Sequence, residues 1–153
     1  MQEIERKFLL NRDEVMKAIS LTPSNQLRKL DIEQFYIQIE PFEIRFRRTK
    51  EKDKEIFYKT IKKGSGLSRE EIEQEVSFVD YENNIIGSSL IIRKTRYIFN
   101  NLEVDLYPNG LAIMEKEYSS EEEANNDKLN YKFIKKEVTG NKYYSNASIA
   151  QRG

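Results

Sequence analysis

The chain has 153 residues, 26 Lys and Arg against 26 Asp and Glu, 38% hydrophobic and 34% charged residues, and no His, Cys or Trp. That length fits a single domain, and the missing side chains exclude imidazole bases, thiolate nucleophiles, zinc sites built on His or Cys, and disulfides. The balanced charge speaks against a nucleic-acid coat or a polybasic membrane binder, both of which need a surplus of Lys and Arg. Neither a signal-like N-terminus nor an apolar run of about 20 residues occurs, which predicts a soluble, cytoplasmic chain. Average domains carry about 25% charged residues, yet this one exceeds that while keeping eight Phe and nine Tyr for a core. Either the surface is unusually charged or some charge points inward.

In chain order, period-two patterning predicts strands at 2–10, 31–39, 42–49, 55–62, 70–79, 89–99, 101–107 and 112–119. Helices are expected at 12–20 with Asn11 as cap, at about 80–86, and at 120–127, where Ser120 and Glu123 form a capping box. A short helix near 143–150 closes the chain. Gly64-Ser65-Gly66, Asn100-Asn101 and Pro108-Asn109-Gly110 supply tight turns. No linker, repeat or low-complexity stretch interrupts the pattern, so residues 1–153 read as one mainly β (α+β) domain. Eight strands with short connections suggest an antiparallel meander closed into a barrel, with a few peripheral helices.

Residues i and i+2 of a strand share a face, and on that basis the charges fall into doublets. They are Glu3/Glu5 followed by Lys7, Arg45/Arg47, Glu71/Glu73, Lys94/Arg96, Glu103/Asp105 and Glu115/Glu117, with apolar residues such as Ile4, Phe46, Ile72, Val104 and Met114 between. A merely solvated face explains any one doublet. Six of them repeating a single sign within a strand is harder to explain, because like neighbours repel unless opposite charge lies between them. Closing the sheet with this face inward makes a tunnel of acids and bases and leaves the apolar face to be covered by helices. With Lys62 the set holds eight acids and six bases, a sum of minus two. Two divalent cations reverse that sign and suit a ligand rich in phosphate oxygens, since Mg²⁺ or Mn²⁺ shares its shell between carboxylates and phosphates and Arg forks match phosphate.

The run Glu3-Ile4-Glu5-Arg6-Lys7 resembles the ExExK signature of the CYTH superfamily, the triphosphate tunnel metalloenzymes. The likeness continues in order through Gln34-Phe35-Tyr36, Arg45-Phe46-Arg47, Thr60-Ile61-Lys62 leading to Gly66-Leu67-Ser68-Arg69, and Glu71-Ile72-Glu73. It goes on through Lys94-Thr95-Arg96-Tyr97, Glu103-Val104-Asp105, Glu115-Lys116-Glu117 and Glu137-Val138-Thr139, with Tyr144 and Asn146 near the end. The resemblance, to small bacterial-type inorganic triphosphatase members in particular, implies an eight-stranded tunnel that binds a triphosphate with divalent metal. It implies Lys7, Arg45, Arg47, Lys62, Lys94 and Arg96 as the substrate cradle, and Glu3, Glu5, Glu71, Glu73, Glu115 and Glu117 as the metal shell, with Glu103 and Asp105 beside it. Lys59 competes with Lys62, since a bulge in that strand swaps which one points in.

The function expected is metal-dependent hydrolysis of inorganic triphosphate, with two Mg²⁺ or Mn²⁺ ions and Glu3, Glu5 and Lys7 at the reacting end. One of Glu3 and Glu5 orients the attacking water; the sequence leaves open which. A class IV adenylate cyclase or a nucleoside or thiamine triphosphatase is the alternative within the fold, and a polyphosphate-binding module without turnover is the alternative outside enzymology. The partner expected is a small polyphosphate or triphosphate, with no nucleic acid or membrane, and homodimerisation is left open.

Overall fold

The computed structural model describes residues 2–64, 67–88 and 90–152. Ser65 and Gly66 of the anticipated Gly64-Ser65-Gly66 turn, and Ser89 at the anticipated start of the sixth strand, lie outside the described residues. The strands are β1 (Gln2–Leu10), β2 (Arg28–Gln38), β3 (Glu43–Glu51), β4 (Lys54–Lys63), β5 (Ser68–Val76), β6 (Ile91–Phe99), β7 (Leu102–Leu106), β8 (Ala112–Glu117) and β9 (Ile134–Glu137). The helices are α1 (Arg12–Leu21), α2 (Phe78–Ile85), α3 (Glu121–Asn126) and α4 (Asn146–Arg152). No described helix is long and apolar enough to cross a membrane.

The first eight strands form a closed antiparallel barrel in the order β5-β4-β3-β2-β6-β7-β8-β1, sealed by β1 pairing back onto β5. That seam is short, with Gln2, Glu3 and Ile4 opposite Glu70, Arg69 and Ser68. Further along, the same edge of β1 is taken by β9, which pairs Phe8 with Glu137 and Leu9 with Lys136 and stands outside the barrel. This ninth strand is absent from the sequence reading. Its residues Ile134-Lys135-Lys136-Glu137 do not alternate in burial; the open backbone edge of β1, the Arg6–Glu137 pair at 2.8 Å and the packing of Ile134 on the core hold it.

The turns follow their chemistry. Asn100 and Asn101, both at positive φ (51° and 62°), form the β6–β7 turn that Asn tolerates better than other side chains. Asn11 caps α1 by accepting from the Glu14 amide, and Ser120 caps α3 by accepting from the Glu123 amide. The reciprocal arm of the expected box differs, because the Glu123 carboxylate accepts from Ser119 Oγ. Ser77 accepts from the Asp80 amide and starts α2, which ends β5 at Val76 rather than at residue 79.

The outward faces are covered as the inward charge requires. Phe8, Leu10, Leu102, Val104 and Met114 pack with Val15 and Ile19 of α1 and with Phe133. Phe35, Phe46 and Phe57 lie under Tyr81 of α2, with the Phe35 and Phe46 rings stacked at 5.3 Å. A third cluster is interior: Tyr36, Ile92, Tyr107 and Ile113 pack against Ala147, Ile149 and Ala150 of α4. All four barrel residues share the inward face of the charged doublets, so α4 plugs one end of the barrel and leaves the charged cavity beyond it.

Candidate active site

The cavity, about 170 Å³, is lined by Glu3, Glu5 and Lys7 of β1, Arg69, Glu71 and Glu73 of β5, Lys62 of β4, Glu43, Arg45 and Arg47 of β3, Tyr36 of β2, Arg96 of β6, Glu103 of β7, and Glu115 and Glu117 of β8, with Ser145 and Asn146 at the plug. Residues as distant in sequence as Glu3, Arg45, Glu73, Arg96 and Glu117 therefore face one space. Around the barrel the acids occupy the adjoining strands β7, β8, β1 and β5, and the bases come mainly from β4, β3 and β6 opposite. The cavity still holds eight acids and six bases. The membership differs from the sequence reading, however, because Glu43 and Arg69 replace Asp105 and Lys94.

Asp105 and Lys94 do point inward, but they are sealed beneath the cavity. Lys94 Nζ donates to Asp105 Oδ2 at 2.6 Å and to Asn146 Oδ1 at 3.3 Å, and its side chain has no exposed surface. Arg96 donates from Nε and Nη2 to Asp105 at 2.7 and 2.9 Å and from Nη1 to Glu103 at 3.3 Å. Both Asp105 oxygens are thus held by cations, and the Arg96 fork is spent inside the protein. Burial opposes ionisation of Asp105, yet Arg96 and Lys94 hold its carboxyl down at about 2. Burial draws the Lys94 ammonium down to about 7 against the pull of Asp105.

The remaining cradle is less committed. Arg45 Nε is buried without a partner, and its Nη2 donates to Thr60 Oγ1 at 3.3 Å, 3.9 Å from Glu73. Arg47 donates to Gln34 Oε1 at 2.8 Å, and burial beside Arg45 and Arg96 lowers its pKa to about 10. Lys62 reaches Glu3 at 3.2 Å. The alternative Lys59 sits outside the barrel over the Phe46 ring at 5.9 Å, because β4 runs in unbroken register from Lys54 to Lys63 and contains no bulge. Arg69 also has an unpartnered buried Nε and lies 3.8 Å from Glu43. The doublet pattern carried one step further, from Glu71 back to Arg69 and from Arg45 back to Glu43, finds both residues. Ser145 and Asn146 reach the cavity only through the docking of α4; Asn146 stands in the family likeness near the end of the chain, whereas Ser145 leaves no local signal.

The acidic wall crowds its charges. One carboxylate oxygen from each of Glu3, Glu5 and Glu117 lies within 4.8 Å of the others. Burial and the facing Glu115 push the Glu5 carboxyl well up, whereas Lys7 and Arg96 overcome burial and hold Glu115 well down. Glu117 is raised by burial and by Glu103 and Glu3. Burial and a hydrogen bond with Glu3 raise Glu71 to about 7, while Glu3, bonded to Glu71 and near Lys62, is lowered despite its burial. An all-oxygen set of crowded carboxylates fits a hard divalent cation, which relieves the repulsion that otherwise keeps part of the set protonated.

This crowding gives a pH-dependent stability. A carboxyl whose pKa is raised on folding stabilises the protein below its unfolded value and loses that contribution as pH rises through the folded value. In chelator, the wild-type protein is therefore expected to lose stability relative to Glu71→Gln between about pH 4.5 and 7. The expected loss is on the order of 1 kcal/mol after solvent screening of this partly exposed group. Denaturant titrations of both proteins across that range check it, and a constant difference removes Glu71 from the coupled set.

Residues 1–112 match the CYTH domain; β8, with Glu115 and Glu117, and the α4 plug lie beyond the matched segment. Among solved structures, the chain is similar to the inorganic triphosphatase NE1496, at 24% identity and a TM-score of 0.59, over 97% of this chain and 93% of that one. It is also similar to the PH1819 protein of Pyrococcus horikoshii OT3, at 20% identity and a TM-score of 0.59, over 79% and 80% of the two chains. A candidate adenylate cyclase of Bacillus halodurans aligns at 19% identity and a TM-score of 0.55, over 80% and 83%. At these identities the likeness is one of fold. Sequence comparison with curated proteins finds no match. The matched segment covers most of the chain and carries the Glu3-Ile4-Glu5-Arg6-Lys7 strand together with β2 to β7 of the barrel, so the chain belongs to the CYTH family.

Proposed function

We propose that the barrel hydrolyses inorganic triphosphate with the help of divalent cations. The observation that carries this reading is the division of one cavity into a carboxylate wall and a wall of incompletely partnered Arg and Lys. Glu3, Glu5 and Glu117 would hold the metal, with Glu71, Glu73 and Glu115 beside them. A bound Mg²⁺ or Mn²⁺ supplies charge neutralisation at the phosphates and a water of lowered pKa, so no His is needed as base. The chain's own part is positional. Arg45 and Arg47 are two residues apart on β3, about 7 Å along the strand, and can bind neighbouring phosphates of a linear chain. Lys7 and Lys62 stand where the basic residues meet the acidic wall, placed to hold the phosphate that is attacked. Glu3, kept ionised beside Lys62, is the carboxylate suited to accept a hydrogen bond from the attacking water. The α4 plug excludes bulk water from one end, which strengthens every charge interaction inside.

A second reading, a triphosphate carrying an organic group, is favoured by an opening beside the cavity. That opening shares Lys7, Lys62 and Arg69 with the cavity and adds an apolar wall of Ile39, Pro41, Phe42 and Ala147. Phosphate release from tripolyphosphate, pyrophosphate, ATP and thiamine triphosphate, each with Mg²⁺ or Mn²⁺, separates the two readings, and turnover of none of them overturns both.

Substituting the arginines tests the cradle. Lys keeps the charge but loses the fork, and a hydrogen bond to a charged group is worth about 1.5–3 kcal/mol. Arg45→Lys and Arg47→Lys are therefore each expected to lower tripolyphosphate turnover roughly tenfold to a hundredfold while leaving Mn²⁺ affinity without substrate unchanged. Full activity in both variants would remove these arginines from the cradle.

A further inference from the structure

The outer surface carries a second concentration of cations that the barrel chemistry does not use. In β2, Lys29 and Asp31 alternate with the inward Leu30 and Ile32; in β3, Arg48 follows the inward Arg47; in β6, Arg93 precedes the inward Lys94. Their side chains therefore stand on the opposite face of the sheet from the cavity, in a groove of about 460 Å³ beside the start of α1. Arg12 of α1 completes the basic lining, and Asp31 is its only acid among the described residues.

The partners of these cations are few. Among the described residues Lys29 and Arg48 make no ion pair, and the Arg48 Nε is buried without any hydrogen-bond partner. Arg12 donates only to the carbonyls of Tyr107 and Leu111. Arg93 is paired with Glu33 at 2.9 Å, and Glu33 is already engaged by the Tyr81 hydroxyl. Asp31 lies opposite Lys50 in the β2–β3 register. Leaving aside Lys94, which is bound to Asp105, and counting Glu33 behind Arg93, the groove's cations outnumber its acids four to two in a protein whose net charge is zero. Thr95 apart, the rest of the lining is mainly apolar, with Tyr97, Pro108 and the half-exposed Met16.

We propose that this groove is a binding site for a nucleoside phosphate. Lys29, Arg48 and Arg93 hold the phosphates, and the base lies against Tyr97 and Pro108. Guanidinium forks match phosphate oxygens, and an aromatic face gives a base a stacking surface that a purely inorganic anion does not need. The site is separate from the barrel, and the inference stands or falls independently of what the barrel hydrolyses.

The test is a fluorescence titration with N-methylanthraniloyl-ADP in chelator, where metal-dependent binding in the barrel is suppressed. Saturable binding that weakens with added salt is expected. Lys29→Gln/Arg48→Gln should lower affinity at least about tenfold, and exposed Lys29→Gln alone should weaken it in the same direction with no cost to folding. Arg45→Lys inside the barrel should leave the affinity unchanged. Unlabelled ADP should displace the probe, pyrophosphate at least about tenfold less well and adenosine not at all. Tripolyphosphate turnover by Lys29→Gln/Arg48→Gln should match wild type. Absence of saturable binding up to about 1 mM, or binding lost in Arg45→Lys and kept in the outer double variant, overturns the proposal; so does pyrophosphate competing as well as ADP.

Discussion

Replacing Asp105 by Asn is expected to lower stability by about 3–5 kcal/mol, the range found when one partner of a buried ion pair is removed. The reason lies in how Asp105 is used. Its carboxylate is 1% exposed and receives three charge-assisted hydrogen bonds, one from Lys94 and two from Arg96. Asn preserves the shape but leaves buried Lys94 without its counter-ion and Arg96 with Glu103 alone, in a barrel that already holds Arg47 nearby. Relief should follow if one cation is removed as well. Asp105→Asn/Lys94→Met is therefore expected to be more stable than Asp105→Asn alone, because Met fills the Lys stem's volume and carries no charge. Chemical denaturation of the three proteins measures this. A cost below about 1 kcal/mol for Asp105→Asn would place Asp105 among the many charges that contribute little, and a double variant no more stable than the single would show that Lys94 is not held by Asp105.

The same residue marks how far the sequence could be read. Strand parity was enough to say that Asp105 and Lys94 face inward, since alternation is a local property of extended backbone. Depth along the barrel is not local. It depends on where α4 docks, and Asn146, Ala147, Ile149 and Ala150 reach the interior through a contact with strands far back in the chain. Strand parity consequently puts the acidic doublets Glu3/Glu5, Glu71/Glu73 and Glu115/Glu117 on the cavity wall but does not separate the lining cation Arg96 from the sealed cation Lys94. The choice of Lys62 over Lys59 needed the absence of a bulge in β4, which no side chain announces. Arg69 stands in the family likeness two residues before Glu71 on the same face of β5, and a rule that recognises only same-sign doublets does not reach it. The ninth strand is illegible for a different reason: four mostly exposed residues held by backbone bonds to β1 and by a long-range pair between Glu137 and Arg6 carry no hydrophobic period.

The carboxylate wall leads to an expectation in which activity and stability move in opposite directions. Glu5→Gln/Glu117→Gln should reduce tripolyphosphate hydrolysis by about a thousandfold, the equivalent of the several kcal/mol that a bound cation supplies, and should abolish Mn²⁺ binding measured by calorimetry. In chelator the same variant should be more stable than wild type at pH 8. Burial and neighbouring carboxylates raise both groups' pKa values, with Glu115 the main charged neighbour of Glu5 and Glu103 that of Glu117. Their neutral forms are thus the ones the fold prefers, and Gln imitates a neutral carboxyl. Because a raised folded pKa gives stability that is present below the unfolded value and lost as pH rises through the folded one, the variant's advantage should shrink as pH falls towards about 4.5. Saturating Mn²⁺ should reverse the order, since a cation that binds only the folded wild type stabilises it and leaves the variant unchanged. Thermal melts at pH 5 and pH 8, with chelator and with Mn²⁺, decide the matter. A variant less stable than wild type in chelator at pH 8 would mean that Glu5 and Glu117 support the fold through their charge, and retained Mn²⁺ binding would move the metal to other carboxylates of the wall.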